Sequence, residues 1–402
     1  MAGVLDGVRV IEVSTWAALP GAGAILSDWG ADVTKVEDPG TGGDPVRGFN
    51  LTPTANGSSL SPTWEQDNRN KKSVTINVRA PEGREALLRL LSDADVFLTS
   101  TRPKSLEQMR LSWEHLKEHN PRLVMAHLSG YGPKGPDSER PGYDALCFWA
   151  RGGIALSLAD DDAPPISPRP AFGDHITSVT VAAGVAAALY AREKTGRGQM
   201  VQLSLLHAGV WASSGDQVMA AMTNTDVFKM SRRRIGNPLT NTYQTADGWI
   251  QLVNLQADRF WEPLCRAVSR TDLIPDERFG SMEKRAEHGV DLVKLFEVEF
   301  IKRTTADWVP LLDAEGIRYG KIQTTLESVH DEQSWANGYF EKVEHPDSGS
   351  LNLVTSPMQF SENESTIRST APMLGQNTEE VLLEAGYSWE DLESLKDKGV
   401  IL

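Results

Sequence analysis

Cysteine is nearly missing from this 402-residue chain: only Cys147 and Cys265 occur, far apart and outside any C-x-x-C spacing. That excludes a disulfide framework and a zinc cluster, and it fits a reducing, cytoplasmic compartment. Cations are in short supply as well. With 40 Lys and Arg against 55 Asp and Glu the net charge is −15, so no extended basic face for nucleic acid or an anionic membrane is expected. Any anionic ligand must meet a local basic pocket. Long apolar runs are lacking too. The longest, VTVAAGVAAALYA, is shorter than a bilayer span, and the opening MAGVLDGVRV has neither the charged head nor the apolar stretch of a signal peptide. Hydrophobic residues still make up 40% of the chain, enough for a sizeable core and for two domains.

What the first two hundred residues do contain is alternation. Strand-like RVIEVS, DVTKVE, SVTINV, DVFLTS and LVMAHLSG alternate with helix-like AGAILSDWG, PEGREALLRLLSDA and LSWEHLKEHN, which predicts an α/β fold of βαβ units around a mostly parallel, Rossmann-like sheet. Pro81 and Glu82 give the second of these helices a clear start. Residues 133–172 break the pattern with Pro, Gly and Asp and read as long loops around ALCFWARGGIAL. A long helix, the turn KTGRGQ and the strand MVQLSLL follow. From Thr225 onward a hairpin and several helices form a smaller α+β region. The expected division is a large domain of residues 1–205 and 340–402, a small inserted domain at 225–325, and linkers at 206–224 and 326–339.

The turn STWAALPGAG, between a strand and a helix, raises the question of a dinucleotide fold. Gly21 and Gly23 match the first two glycines of that fingerprint, but Leu26 occupies the third place, and the acidic residue at the end of the second strand, Glu37 or Asp38, comes slightly early. A nicotinamide enzyme is therefore a minor alternative. The competing view is that Ala17, Ala18, Gly21 and Gly23 let a helix pack closely.

The stretch RPAFGDHITSV carries more chemistry. Asp174 stands where the loop meets the long apolar helix, a position read as its N-cap. A carboxylate there is expected to be kept ionised by the helix N-terminus, and an ionised carboxylate can serve as a covalent nucleophile.

At this point LDGVRVIEV, LSDWGADVTKVE, NRNKKSVTINV, NPRLVMAHLSGYG, FGDHITSV, KTGRGQMVQLSLL and GIRYGKI, in this order and spacing, give the chain a resemblance to the class III CoA-transferases, the group that includes formyl-CoA transferase and the carnitine-CoA transferases. The resemblance implies that Asp174 is the nucleophile. It also implies an α/β large domain built from both chain ends, a smaller inserted domain, and an interlocked homodimer. Substrates would be an acyl-CoA and a carboxylic acid, with coenzyme A as a substrate and not a permanently bound cofactor. No metal is implied. Oxyanion donors would be backbone N–H groups near Asp174 and at Gly236 in the turn IGNP.

An acidic protein that binds CoA phosphates needs grouped cations, and NRNKKS and TSTRPKS supply Arg69, Lys71, Lys72, Arg102 and Lys104 at ends of predicted strands. Arg102 is the best of them on the resemblance. Asp38 stands where several relatives have arginine, and Ala17 and Ala18 stand where some have glutamine. The acyl site is expected near Ala18, Trp64, Tyr143, Phe148 and Trp149. The racemase branch of the same fold is the main rival. It exchanges an α-proton with a His/Asp pair, and here the corresponding pair is Tyr143 and Asp144. His175 is expected to point away from Asp174, and His127 to face the sheet.

Overall fold

The computed structural model describes residues 2–161, 163–227, 229 and 231–402. The chain forms two compact units, one of Met1–Ala155, Ser167–Asn224 and Trp335–Leu402, the other of Leu156–Ile166 and Thr225–Ser334. Residues 156–166, read from the sequence as part of the large domain, thus cluster with the second unit. Residues 206–224, read as a linker, are helical and belong to the first.

In the first unit the strands are β1 (Arg9–Val13), β2 (Asp32–Glu37), β3 (Thr52–Pro53), β4 (Ser59–Leu60), β5 (Lys72–Thr75), β6 (Val96–Thr99), β7 (Val124–Ser129) and β8 (Met200–Ser204). Six of them make one parallel sheet in the order β5-β2-β1-β6-β7-β8, and β3 and β4 form a small hairpin. Strand order reverses between β1 and β6, which is where open α/β sheets form a ligand crevice at the carboxyl ends of their strands.

The helices up to the interruption are α1 (Ala18–Asp28), α2 (Pro62–Asn68), α3 (Pro81–Ser92), α4 (Pro103–Gln108), α5 (Trp113–His119), α6 (Ile154–Ser157), α7 (Phe172–Thr195), α8 (Leu205–Ala212) and α9 (Ser214–Thr223). Helix α3 begins at Pro81, carries Glu82 in its first turn and Arg89 in its last, and so matches the helix dipole at both ends.

Period-two alternation sends successive strand residues to opposite faces. Val10, Val96, Leu98, Val124 and Ala126 meet α1 and α7 on one side, while Ile11, Phe97 and Met125 meet α3 and the C-terminal segment on the other. Helix α7, with 24 residues, is long and apolar enough by composition to cross a membrane. Here its Val181, Ala182, Val185 and Ala188 are buried in the first of these cores.

The glycines of the first turn answer the dinucleotide question. Gly21 and Gly23 lie inside α1 and not in the turn before it. A Cβ on Gly21 would meet Ser178 Oγ of α7 at 2.5 Å, and one on Gly23 would meet Glu12 Oε2 at 2.3 Å. They serve close packing of α1 against α7 and over a buried ion cluster, not approach to a pyrophosphate. The nicotinamide alternative is set aside on that ground.

That cluster lies on the α1 side of the sheet. Lys35 donates to Glu12 at 2.8 Å and to the Ser14 carbonyl at 3.0 Å, and its ammonium is 3.0 Å from Asp44. Lys71 donates to Glu12 at 2.8 Å. Burial opposes the charge on Glu12, but the two ammonium groups bring its pKa down to about 2. Trp16, at φ 71° in the β1–α1 turn, is held by its own amide donating to Asp44 Oδ1 at 3.1 Å.

The second unit holds a small antiparallel sheet of β9 (Thr242–Gln244), β10 (Trp249–Leu252) and β11 (Tyr319–Lys321) in the order β11-β10-β9. It packs with helices α10 (Ala257–Ala267), α11 (Met282–Glu287), α12 (Gly289–Phe300) and α13 (Thr305–Ala314) around an aromatic core, in which Tyr243 stacks on Phe300 at 4.9 Å. Cys265 is buried there, and burial pushes its thiol up to about 12. Two short helices, α14 (Thr325–Val329) and α15 (Glu332–Ala336), lead back toward the first unit, where β12 (Phe340–His345) and β13 (Gly349–Val354) form a hairpin and α16 (Thr378–Glu384) and α17 (Trp389–Asp397) close the chain.

Candidate active site

The N-cap of α7 lies three residues earlier than expected. Ala171, at φ 66°, is the N-cap, so Asp174 is the third residue of the first turn. The capping carboxylate comes from elsewhere in the chain: the Gly173 amide donates to Asp144 Oδ2 at 3.1 Å. Asp144 opens a π-helical turn, Ala145–Arg151. A Cβ on Gly173 would lie 2.3 Å from Asp144 Oδ1 and 2.5 Å from the Phe148 ring. This is why glycine precedes Asp174: only a residue without a side chain lets the helix start seat against Asp144 and Phe148.

Asp174 itself is half-buried, and its carboxylate accepts no hydrogen bond among the described residues. The expectation that the helix N-terminus keeps it ionised is reversed. Burial, together with the charges of Asp144 and Asp67 and against that of His175, raises its pKa to about 7. Burial likewise raises Asp144, against the pull of the Gly173 amide. His175 turns away from Asp174, as expected, and toward Asp67 of α2. Its Nε2–H donates to both carboxylate oxygens, at 3.1 and 3.3 Å. Burial works against its charge, but the Asp67 hydrogen bond and charge prevail and raise its pKa. His127 is buried, with Nε2–H donating to the Thr101 carbonyl at 2.9 Å, and burial lowers its pKa.

A cavity of about 510 Å³ opens at the carboxyl ends of β1, β2, β5 and β6. Ser14, Thr15, Glu37, Asp38, Arg79 and Arg102 are among its lining residues. Arg102 is therefore where the sequence placed it. Lys104 lies just beyond the lining, its amide donating to Glu139 at 3.3 Å. Arg79 is a cation that the sequence analysis missed. It follows β5, is 3.8 Å from Asp38, and its side chain is 79% exposed. Its signal was available: it stands at the carboxyl end of a strand adjacent to the crevice.

The other three cations are elsewhere. Arg69 is buried and binds Asp28 through two bonds, at 3.1 and 2.7 Å. Lys71 is buried in the ion cluster, donating to Glu12, the Pro20 carbonyl and Asn68. Burial lowers its pKa to about 8 despite Glu12. Lys72 opens β5 and faces Asp32, at 3.4 Å. All three stand at the amino end of β5, the wrong rim of a parallel sheet for a phosphate site.

The expected acyl surface also changes membership. Trp64, Phe148 and Trp149 are core residues, and Ala18 is buried at the start of α1, its carbonyl accepting from Ser178 Oγ at 2.7 Å. Tyr143, 53% exposed, meets Trp16 edge-on at 5.8 Å, and Trp16 meets Phe49 at 5.9 Å. Trp16 and Phe49, not Trp64, Phe148 and Trp149, are the aromatic company of Tyr143. Gly236 lies in the second unit, where a Cβ would meet nothing within 4 Å.

Asp174 in the first turn of α7 and a crevice lined by Arg79 and Arg102 are the two features that bear on chemistry, and comparison with known proteins gives the chain its relatives. The family model described as CoA-transferase family III matches residues 5–378. The (R)-2-hydroxy-4-methylpentanoate CoA-transferase of Clostridioides difficile is 34% identical over 399 residues, covering 99% of each chain. The cinnamoyl-CoA:phenyllactate CoA-transferase of Clostridium sporogenes is 34% identical over 408 residues, covering 99% of this chain and 98% of that one. Among solved structures, a CAIB/BAIF family protein from Brucella suis superposes with a TM-score of 0.86 at 27% identity, over 96% of this chain and all of that one. With a family model matching residues 5–378 and relatives 34% identical over nearly the whole chain, the chain belongs to CoA-transferase family III and is an enzyme of the CoA-transferase kind.

Proposed function

We propose that this enzyme moves CoA from an acyl-CoA to a carboxylic acid, with Asp174 as nucleophile and carrier. The Asp174 carboxylate attacks the thioester carbonyl, forming a mixed anhydride and releasing CoA thiolate. The thiolate attacks the aspartyl carbonyl, which frees the donor acid as its carboxylate and leaves an Asp174–CoA thioester. The acceptor carboxylate then attacks that thioester. A second anhydride forms with release of thiolate, and the thiolate takes the acyl carbonyl of the acceptor to give the new acyl-CoA and the original carboxylate. The observation that carries this reading is the Asp174 carboxylate in the first turn of α7, which accepts no hydrogen bond among the described residues. Each addition creates an oxyanion that backbone N–H groups can stabilise, and the Gly236 amide in the turn IGNP is the proposed donor.

Arg102 and Arg79 line the crevice and suit the CoA phosphates. The acceptor is proposed as a 2-hydroxy acid with an apolar side group. Two relatives act, by name, on 2-hydroxy-4-methylpentanoate and phenyllactate, and Trp16, Phe49 and Tyr143 offer an aromatic surface. A cytoplasmic homodimer completes the proposal. Trp211, Val218 and Met222 on α8 and α9 are 75%, 57% and 82% exposed in the single chain, an apolar surface that a second copy would cover. Sedimentation should show a dimer at micromolar concentration, and a fully active monomer would contradict it.

The test of mechanism is mass spectrometry after incubation with a panel of acyl-CoAs. A CoA-sized adduct on the peptide carrying Asp174 is expected. One observation favours a second reading: the Asp67–His175 pair next to Asp174 gives the site a second proton-handling group. Proton exchange at an α-carbon would wash solvent deuterium into acyl-CoA with no acceptor acid and no adduct, and that result would replace transfer by racemisation.

A further inference from the structure

Asp67 and His175 are 108 residues apart in sequence and are brought together by the packing of α2 beside the start of α7. The Asp67 side chain is 2% exposed, while that of His175 is 47% exposed. Among the described residues, the hydrogen bonds to the Asp67 carboxylate all come from His175, through both oxygens. A buried carboxylate needs a counter-charge. Its one hydrogen-bonding partner sits on the residue next to the nucleophile.

We propose that Asp67 and His175 form a positioning pair that sets the charge around Asp174: the imidazolium, anchored by the buried Asp67 carboxylate, offsets the negative field of Asp67 and Asp144 and favours an ionised Asp174. The inference rests on Asp174 being the nucleophile for its consequence in catalysis, but not for its electrostatics.

The charges that face this site come from several elements. From α2 and its end come Asp67, Glu65 and Arg69, and from β12 comes His345, 3.9 Å from Glu65. Burial pushes Glu65 up to about 7, and Arg69 is tied to Asp28. From the π-helical turn comes Asp144, and from α7 Asp174 itself. The charge of Asp67 also acts on Lys71, whose ammonium is bound to Glu12. The cavity wall opposite His175, from β13, is Leu351, Leu353 and Val354 and carries no charge. Among the described residues Arg69 is paired with Asp28, Lys71 with Glu12 and His345 lies at Glu65, while three carboxylates, Asp67, Asp174 and Asp144, act on His175.

The test uses full-length protein with ¹³C-labelled aspartate carboxyls, titrated by NMR, the Asp174 signal being assigned by its loss in Asp174→Asn. His175→Gln should raise the Asp174 midpoint by about one pH unit, the size expected for losing a nearby partly screened charge. His175→Gln combined with Asp67→Asn removes both charges of the pair and should bring the midpoint back toward the wild-type value. A packing role alone gives no such reversal. An unmoved midpoint in His175→Gln, or one that stays raised in the double variant, overturns the proposal. The pH dependence of adduct formation should follow the same order. Should no acyl-CoA give an adduct, the transfer mechanism falls, while the carboxyl titration still decides the role of the pair.

Discussion

The Gly173 amide donates to Asp144, not to Asp174, and this 3.1 Å bond divides the labour at the start of α7. Asp144 satisfies the helix start, and among the described residues the Asp174 carboxylate accepts no hydrogen bond. Asp144→Ala should therefore destabilise the protein by about 1 kcal/mol, the usual worth of a cap, as read from denaturant unfolding. Asp144→Asn keeps an acceptor but removes a negative charge that raises the Asp174 pKa. Its acid limb of activity should move to lower pH by roughly half a unit.

For Asp174 the direction of the pH effect is fixed by its raised pKa. Attack needs the ionised form, so the rate of adduct formation should climb as pH rises through about 7. Stability runs the other way. Between the ordinary carboxyl range and about 7 the folded chain holds a proton that the unfolded chain has lost, so folding weakens as pH rises through that window. Asp174→Asn should abolish transfer, by at least about 10³-fold. It should also melt above wild type at pH 8, with the gain vanishing near pH 4. A variant that melts lower at pH 8 would show that the carboxylate is a structural group.

The crevice arginines bear on affinity. Arg102→Ala and Arg79→Ala should each raise the KM for acyl-CoA by about tenfold, with kcat within a factor of about two, because phosphate contacts far from the thioester bind ground and transition states alike. Added salt should raise the wild-type KM and affect the variants less. By contrast Lys71→Met should leave acyl-CoA binding unchanged in whatever folded protein survives, since Lys71 is enclosed with Glu12. Loss of one partner of such a pair costs about 3–5 kcal/mol of stability, which thermal melting would read.

Gly236 offers a clean substitution. A Cβ there would touch nothing within 4 Å, so Gly236→Ala should leave the melting temperature unchanged. Alanine keeps the backbone N–H, so kcat should hold as well, whereas Gly236→Pro removes that donor and should lower kcat while KM holds if the amide stabilises an oxyanion. Unchanged kcat in folded Gly236→Pro would remove Gly236 from the mechanism.

The sequence by itself determined the layers of this protein. Continuous apolar runs such as Val10-Ile11 and Val96-Phe97-Leu98 dictate strands buried on both faces, and Pro81 with Glu82 dictates where a helix starts, because both signals act through neighbours in the chain. The Gly-Asp pair at the head of α7 was legible for the same reason, and Arg102 was legible from its place after a strand. Tertiary structure decided which charges line the crevice and which are enclosed in the fold. Lys71 and Arg69 look in sequence like Arg102, yet parallel pairing of β1, β2 and β5 encloses Lys71 with Glu12, 59 residues away, and Arg69 reaches Asp28, 41 residues away. The cap on α7 comes from Asp144, 29 residues earlier, and the partner of His175 from Asp67, 108 residues earlier. Local patterning encodes which face of an element is buried. The identity of a buried charge's partner depends on which elements become neighbours, and only the folded sheet and its helices fix that.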